Sequence, residues 1–277
     1  MSASPLGVDE LEKDIDSHLR RLGEVFVVID HRQPRYSGNV CWGVEIAGRR
    51  LFVKTAAHAN GIAWLESAGR FHASVQHPAI APLVASLPVA GGAMAKVFPW
   101  VEGEVLNDPH VPGAIPRDDE RSTYRRFRGL PVDRILAALD MIFDAHLAVA
   151  AAGYVAVDFY DGCVMYDFTR HDIHLVDLDV YRPGPYVLDV DRQFGSTRFM
   201  APEEFQRGAT IDERTTVFTL ARAAFVFLSE DMTGDPDRAL WRASGDLYEV
   251  AARATQAAPE GRWPTVAEFL GEWRRAL

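Results

Sequence analysis

A change of period along the chain limits what it can fold into more than any other feature. Three short runs near its start, EVFVVID, NVCWGVEI and RRLFVKTA, are rich in β-branched and aromatic residues. The first two are separated by a polar loop containing Pro34 and Gly38, the last two by a turn at Ala47-Gly48, which predicts an antiparallel meander. Farther on the apolar residues fall at helical spacing instead. Val132 to Ala152 is one such segment, followed by Gly153 as a C-cap, and TTVFTLARAAFVFLS, LYEVAARAT and VAEFLGEWRRAL continue the pattern to the end. A β-rich first third followed by a helix-rich remainder predicts an α+β protein in two lobes, with a cleft between them as the usual place for a ligand.

The intervening segments fill in that outline. Val8 to Leu22 carries apolar residues among charges at helical spacing, so residues 1–23 are expected to form an N-terminal helical extension. A small lobe is expected over 24–101 and a larger one over 102–277. The stretch Ile62 to Val75 predicts a helix, while HPAIAPLVASLPV and GGAMAKVFPWVEGEVL are compatible with strands. Asn107 to Leu130 is polar, with Pro109, Pro112 and Pro116, and predicts a connector with a short helix.

Charge and cysteine content narrow the function classes. A net charge of −10 argues against general nucleic-acid binding, which calls for a basic face. Arg117, Arg121, Arg125, Arg126 and Arg128 nevertheless crowd into one segment, either a solvated face or a docking patch for an anionic partner. The two cysteines, Cys41 and Cys163, cannot build a disulfide framework or a four-ligand zinc site by themselves. The longest apolar segments fall short of the roughly 18 residues of a membrane span, and Met1 to Gly7 lacks the pattern of a secretory signal. A cytoplasmic protein with no membrane or nucleic-acid partner is therefore expected.

One segment asks for a chemical reason. In VAVDFYDGCVMYDF, Asp158 and Asp161 lie between apolar runs that resemble buried strands, where an unpaired charge is costly. HDIHLVDLD, a little later, is another strand-like run and ends with Asp177 and Asp179.

Taken in order, these motifs resemble those of the protein kinases, specifically the bacterial relatives of eukaryotic-type serine/threonine kinases, from about Glu24 to Leu277. Lys54 in LFVKTA resembles the third-strand lysine that binds nucleotide phosphates. VQHPAIAPLV resembles the turn after helix C. Glu66, the only acid in the preceding helix, is the candidate to pair with Lys54 or else a surface residue. FPWVEGEVL resembles the hinge, with Phe98 as gatekeeper and Pro99, Trp100 and Val101 offering backbone groups to adenine. GYVAVDFYDGCVMYD aligns with the catalytic loop H-R-D-x-x-x-x-N, so the resemblance makes Asp158 the base and LVDLD makes Asp177 the Mg²⁺ ligand. GSTRFMAPEEF resembles the activation segment through A-P-E, with Ser196 and Thr197 as phosphorylation sites. Glu203 is then expected to form a buried ion pair with Arg262 in PEGRWPTVAEFL.

The resemblance implies a bilobal protein kinase-like fold, with a small antiparallel sheet and helix C in the N-lobe and a mainly helical C-lobe. It also implies ATP with Mg²⁺ or Mn²⁺, and transfer of a γ-phosphoryl group to a hydroxyl, foremost Ser or Thr of a protein. The departures are specific. Ala156 and Val157 stand at the His-Arg positions, making the chain non-RD, and Thr216 stands at an aspartate of the later helix. Cys163 stands at the asparagine, a poor Mg²⁺ ligand whose place Asp161 or Asp179 could take. The phosphate-covering loop reads HRQPRYSGNV and keeps only Gly38 and Val40, with His31, Arg32 and Arg35 offering side-chain charge instead. A pseudokinase, acting as a nucleotide-binding or scaffolding module, is the second reading, and a small-molecule kinase the third.

Overall fold

The computed structural model describes residues 4–30, 38–56, 58–107 and 115–277. The chain forms two compact units, one from Met1–Gln76 with Ala81–Glu102, the other from His77–Ile80 and most of the chain beyond Gly103. Among the described residues are seven α-helices and a five-stranded antiparallel sheet.

The first unit is built on that sheet. Its strands are β1 (Glu24–Asp30), β2 (Val40–Ile46), β3 (Arg49–Ala56), β4 (Ala85–Val89) and β5 (Ala93–Pro99), in the order β1-β2-β3-β5-β4. The turn between β2 and β3 is made by Ala47 and Gly48, both at positive φ, which suits the twist of a tight hairpin. Strand alternation divides the faces. Leu51 and Val53 join Trp42, Val44, Ala95 and Val97 in one apolar cluster. Phe52 and Lys54, with Phe98 and Lys96 opposite them in register, belong to the other face.

The expected N-terminal helix is shorter than its pattern. Helix α1 runs only over Ile15–Leu22, because Asp14 caps it by accepting from the Ser17 N–H. The residues before it are held by backbone pairing instead: Leu11 donates to Pro88 O and accepts from the Ala90 N–H. Leu6, Leu11 and Leu19 are all part of the apolar cluster of the sheet, so the extension is an integral layer of this unit. Helix α2 (Ala59–Ser74) contacts β3 and β5.

The second unit is mainly helical, with α3 (Thr123–Arg128), α4 (Val132–Ala151), α5 (Glu213–Leu228), α6 (Gly245–Ala254) and α7 (Val266–Ala276). Nearly every residue of α5 from Thr215 on is buried, the pattern of a helix enclosed on all sides. Phe143 of α4 packs against Phe269 and Trp273 of α7, with ring centroids 5.0 and 5.2 Å apart. Its short strands include β6 (Glu104–Val105), β7 (Tyr154–Val155), β8 (Val164–Tyr166) and β9 (Ile173–Leu175). Strands β6, β8 and β9 form a three-stranded sheet in that order. His77–Ile80 belongs to this unit and not to the small lobe expected over 24–101: His77 lies 3.1 Å from Asp144 of α4, and Leu175 donates to Ala79 O. No described helix is long and apolar enough to cross a membrane.

Candidate active site

The β8–β9 hairpin decides which acids come together. Val164 pairs with Leu175, and the Val176 N–H donates to Cys163 O at 2.9 Å, so the residues entering β8 and leaving β9 share one end of the sheet. Asp158 precedes that end and Asp177 follows it. Both have φ of 58°, a left-handed conformation that non-glycine residues adopt rarely and that is concentrated at functional sites. Burial, together with the negative charge of Asp177, pushes the half-buried Asp158 carboxyl up to about 7. A carboxyl so placed can accept a proton near neutral pH.

The loop carrying Asp158 is held from several directions. The Thr216 hydroxyl of α5 accepts from the Ala156 N–H at 3.1 Å and so anchors this loop. Phe159 packs edge-on against His146, which is fully buried in α4. His146 Nδ1 lies 2.7 Å from Ile142 O and its Nε2 2.8 Å from the Tyr181 hydroxyl, and burial lowers its pKa to about 4. A neutral tautomer donating to Ile142 O and accepting from Tyr181 satisfies both contacts. The Tyr160 ring packs directly over Gly162, where a Cβ would fall 2.4 Å from it.

Cys163 and Asp161 are both engaged by the protein's own groups. The Cys163 thiol is buried, with its pKa pushed well up by burial and by Asp177 and Asp158, and it donates to Asp158 O at 3.3 Å. It therefore fixes the loop backbone. Asp161 is wholly buried, accepts from Arg198 at 2.6 Å and from Asn107 at 3.2 Å, and has Arg117 at 3.9 Å. Its oxygens are thus engaged by two guanidinium groups and an amide. Asp179 is also buried. Asp177 and Asp158 are hard oxygen donors whose mutual repulsion a divalent cation would relieve, which fits Mg²⁺. Among the described residues no group of three or more His, Cys, Asp and Glu side chains converges.

Arg192 is a residue that motif reading missed. Its Nη2 donates to Gly195 O at 3.0 Å, and a Cβ on Gly195 would lie 3.7 Å from Asp158 Cα. Its charge acts on Asp158 in the direction opposite to Asp177. No spacing rule marks it, because its proximity depends on how the Gly195–Met200 segment folds back. In that segment Ser196 is half-buried and Thr197 exposed. Glu203 and Arg262 form a two-pronged ion pair, with Nη1–Oε1 at 2.7 Å and Nη2–Oε2 at 2.8 Å, and both side chains are buried.

The first unit has its own cationic centre. Lys54 is buried in β3 with Lys96 of β5 opposite it in register, and Lys96 donates to Ser86 at 2.8 Å. Helix α2 presents His72, whose pKa is lowered to about 4 by burial and by Lys96 and Lys54. A Cβ on Gly69 would fall 2.7 Å from Lys96 Nζ. Glu66 lies on the exposed side of α2 and makes no ion pair among the described residues, so the expected pairing with Lys54 is not formed. The helix turns Gly69 and His72 inward, about one and two turns beyond Glu66. Phe98 packs on His72 and Phe52 with centroids 5.3 and 6.4 Å apart. Trp100 meets Phe26 edge-on and is crossed by Arg50, while its backbone N–H donates to Arg50 O, so that group is taken by the protein's own backbone. Pro99 ends β5 and Val101 is half-buried. Gly38, at φ 74°, abuts His58, and Val40 pairs with Thr55. Arg32 and Arg35, with His31, lie outside the described residues.

No protein-family model matches the chain, and no curated protein matches it.

Proposed function

We propose that the protein is an ATP- and Mg²⁺-dependent phosphotransferase of bilobal protein-kinase-like fold, acting on a hydroxyl, foremost Ser or Thr of a protein. The observation that carries this reading is the pairing of Asp158 and Asp177 at the end of the β8–β9 hairpin, both at positive φ, with Asp158 pushed up to about 7. Asp158 takes the proton of the attacking hydroxyl as its oxygen bonds to the γ-phosphorus and the bond to the β–γ bridging oxygen breaks, releasing ADP. Asp177 is the residue to hold Mg²⁺, which supplies neutralisation of phosphate charge. Lys54 takes the nucleotide phosphates, and Arg192 brings a positive charge near Asp158. The buried pair of Glu203 with Arg262 and the anchoring of Ala156 by Thr216 support the same fold.

A pseudokinase is the second reading, favoured by the engagement of Cys163 with Asp158 O and of Asp161 with Arg198. Neither supplies a second metal with an oxygen. Thermal shift with ATP, with and without Mg²⁺ or Mn²⁺, followed by transfer from labelled ATP, separates the two. The enzyme reading expects metal-dependent stabilisation by ATP, about 2.7 kcal/mol at a hundredfold excess over Kd. It also expects label transfer that Asp158→Asn and Asp177→Ala abolish. ATP binding without transfer selects the pseudokinase, and transfer that persists in both variants overturns the assigned roles.

A further inference from the structure

The crowded arginines of the sequence do not act together. Arg126 pairs with Glu104 at 2.7 Å, Arg121 with Asp119 at 2.8 Å, and Arg117 approaches Asp161. Arg125 and Arg128 behave differently. With Arg242 they line a cavity of about 360 Å³ in the second unit, together with Glu120, Gly129, Ser229 and Glu230. Among the described residues no carboxylate comes within 4.0 Å of any of these three guanidinium groups.

Backbone carbonyls position the inner arginines and leave their charge standing. Arg128 Nη2 donates to Ser229 O and Asp231 O, and Arg242 donates to Arg128 O and Leu130 O. Arg128 is only 5% exposed, yet its Nε and Nη1 have no hydrogen-bond partner, and the Oγ of the wholly buried Ser229 has none either. Three buried donors without acceptors, on two residues that line one cavity, are an expensive arrangement for a protein to keep empty-handed. The Tyr124 ring, 5.3 Å from the Arg128 guanidinium carbon, covers one face of it and offers no oxygen acceptor to those N–H groups there. Asp231 Oδ1 is likewise buried and unpartnered, so a rotation bringing it onto Arg128 is the competing way to satisfy this arginine.

We propose that this cavity binds a phosphomonoester group, with Arg128 and Ser229 as inner donors and Arg125 and Arg242 supplying charge. Guanidinium groups match oxyanions in geometry, and a hydroxyl completes the donor set. A phosphomonoester brings three terminal oxygens to the three open donors on Arg128 and Ser229, where a carboxylate brings two. The site does not include Asp158, Asp177 or Lys54, so the inference stands independently of the phosphotransferase reading.

Calorimetric titration of the full chain with inorganic phosphate, against chloride at matched ionic strength, tests it. Saturable binding is expected that Arg125→Ala weakens roughly tenfold and Ser229→Ala severalfold, the range for losing a hydrogen bond to a charged group. Asp158→Asn is expected to bind phosphate as the wild type does. Arg125 is half-exposed and the Ser229 hydroxyl makes no bond, so neither variant is expected to compromise folding. A second arm compares a phosphoserine peptide with its unphosphorylated form. Tighter binding of the phosphopeptide than of phosphate identifies a protein-borne group, and equal binding identifies a free phosphate ligand. Heats no greater than those of chloride, or phosphate affinity unchanged in both cavity variants, overturn the proposal and leave the Arg128–Asp231 pairing as the account.

Discussion

Glu203 with Arg262 and Asp158 with Asp177 are two groups of charges in the same unit, treated in opposite ways. The first pair is buried and matched, each carboxylate oxygen meeting a guanidinium nitrogen within 2.8 Å, with Arg262 also donating to Gln256 O and Ala257 O. The second pair is like-charged, on left-handed backbone, and raises the pKa of its own member. Matched charges hold the fold together. Mismatched ones cost stability, and a protein keeps them where a ligand or proton is to arrive.

The contrast can be broken from either side. The largest effect is expected at the matched pair: Glu203→Ala strands the buried Arg262 and should cost about 3–5 kcal/mol in urea unfolding. Next comes His146, whose folded pKa of about 4 lies below the 6.5 of an unperturbed histidine. Its contribution is therefore complete above about 6.5 and is lost as pH falls through about 4, roughly 3 kcal/mol in all. Unfolding measured across that window should show a steeper acid limb for the wild type than for His146→Gln. A flat wild-type limb would remove the buried neutral histidine from the account.

At the mismatched pair the sign reverses. Asp158 has a folded pKa of about 7, above its ordinary 3.8, so its favourable contribution is complete below 3.8 and is lost as pH rises through 7. Asp158→Asn should thus stabilise the protein at pH 8 by about 1–2 kcal/mol, and on the proposed phosphotransferase reading it should also abolish label transfer from ATP. Equal stability of the two proteins at pH 8 would mean that Asp158 is already compensated. The smallest effect belongs to Cys163: Cys163→Ala removes one weak donor to Asp158 O and should cost at most about 1 kcal/mol. Cys163→Asn is the sharper variant, since a gain in transfer rate would show that the missing oxygen limits the chemistry.

Much of the local structure was legible because it repeats along the chain. Strands β1 to β3 followed from alternation and β-branched residues, α4 and α5 from helical spacing, and the β2–β3 turn from Ala47-Gly48. The N-terminal helix was overextended because periodicity says nothing of the pairing of Leu11 with Pro88 and Ala90, which takes that backbone out of the helix. Glu66 stands out in the sequence as the only acid of α2, but periodicity does not say which way the helix faces, and in the fold Gly69 and His72 turn inward instead.

The sequence by itself determined the residues able to carry charge and protons, their order, and the elements that bear them. These properties are set by side-chain chemistry and by backbone preferences that act over a few residues. Only the tertiary structure decided which charges are compensated. Asp161 is tied to Arg198 and Glu203 to Arg262, whereas Asp158 is left beside Asp177 and Arg128 keeps two unmatched N–H groups. The reason is physical: the cost of a charge depends on burial and on partners a few ångströms away, and those partners come from segments far apart in the chain.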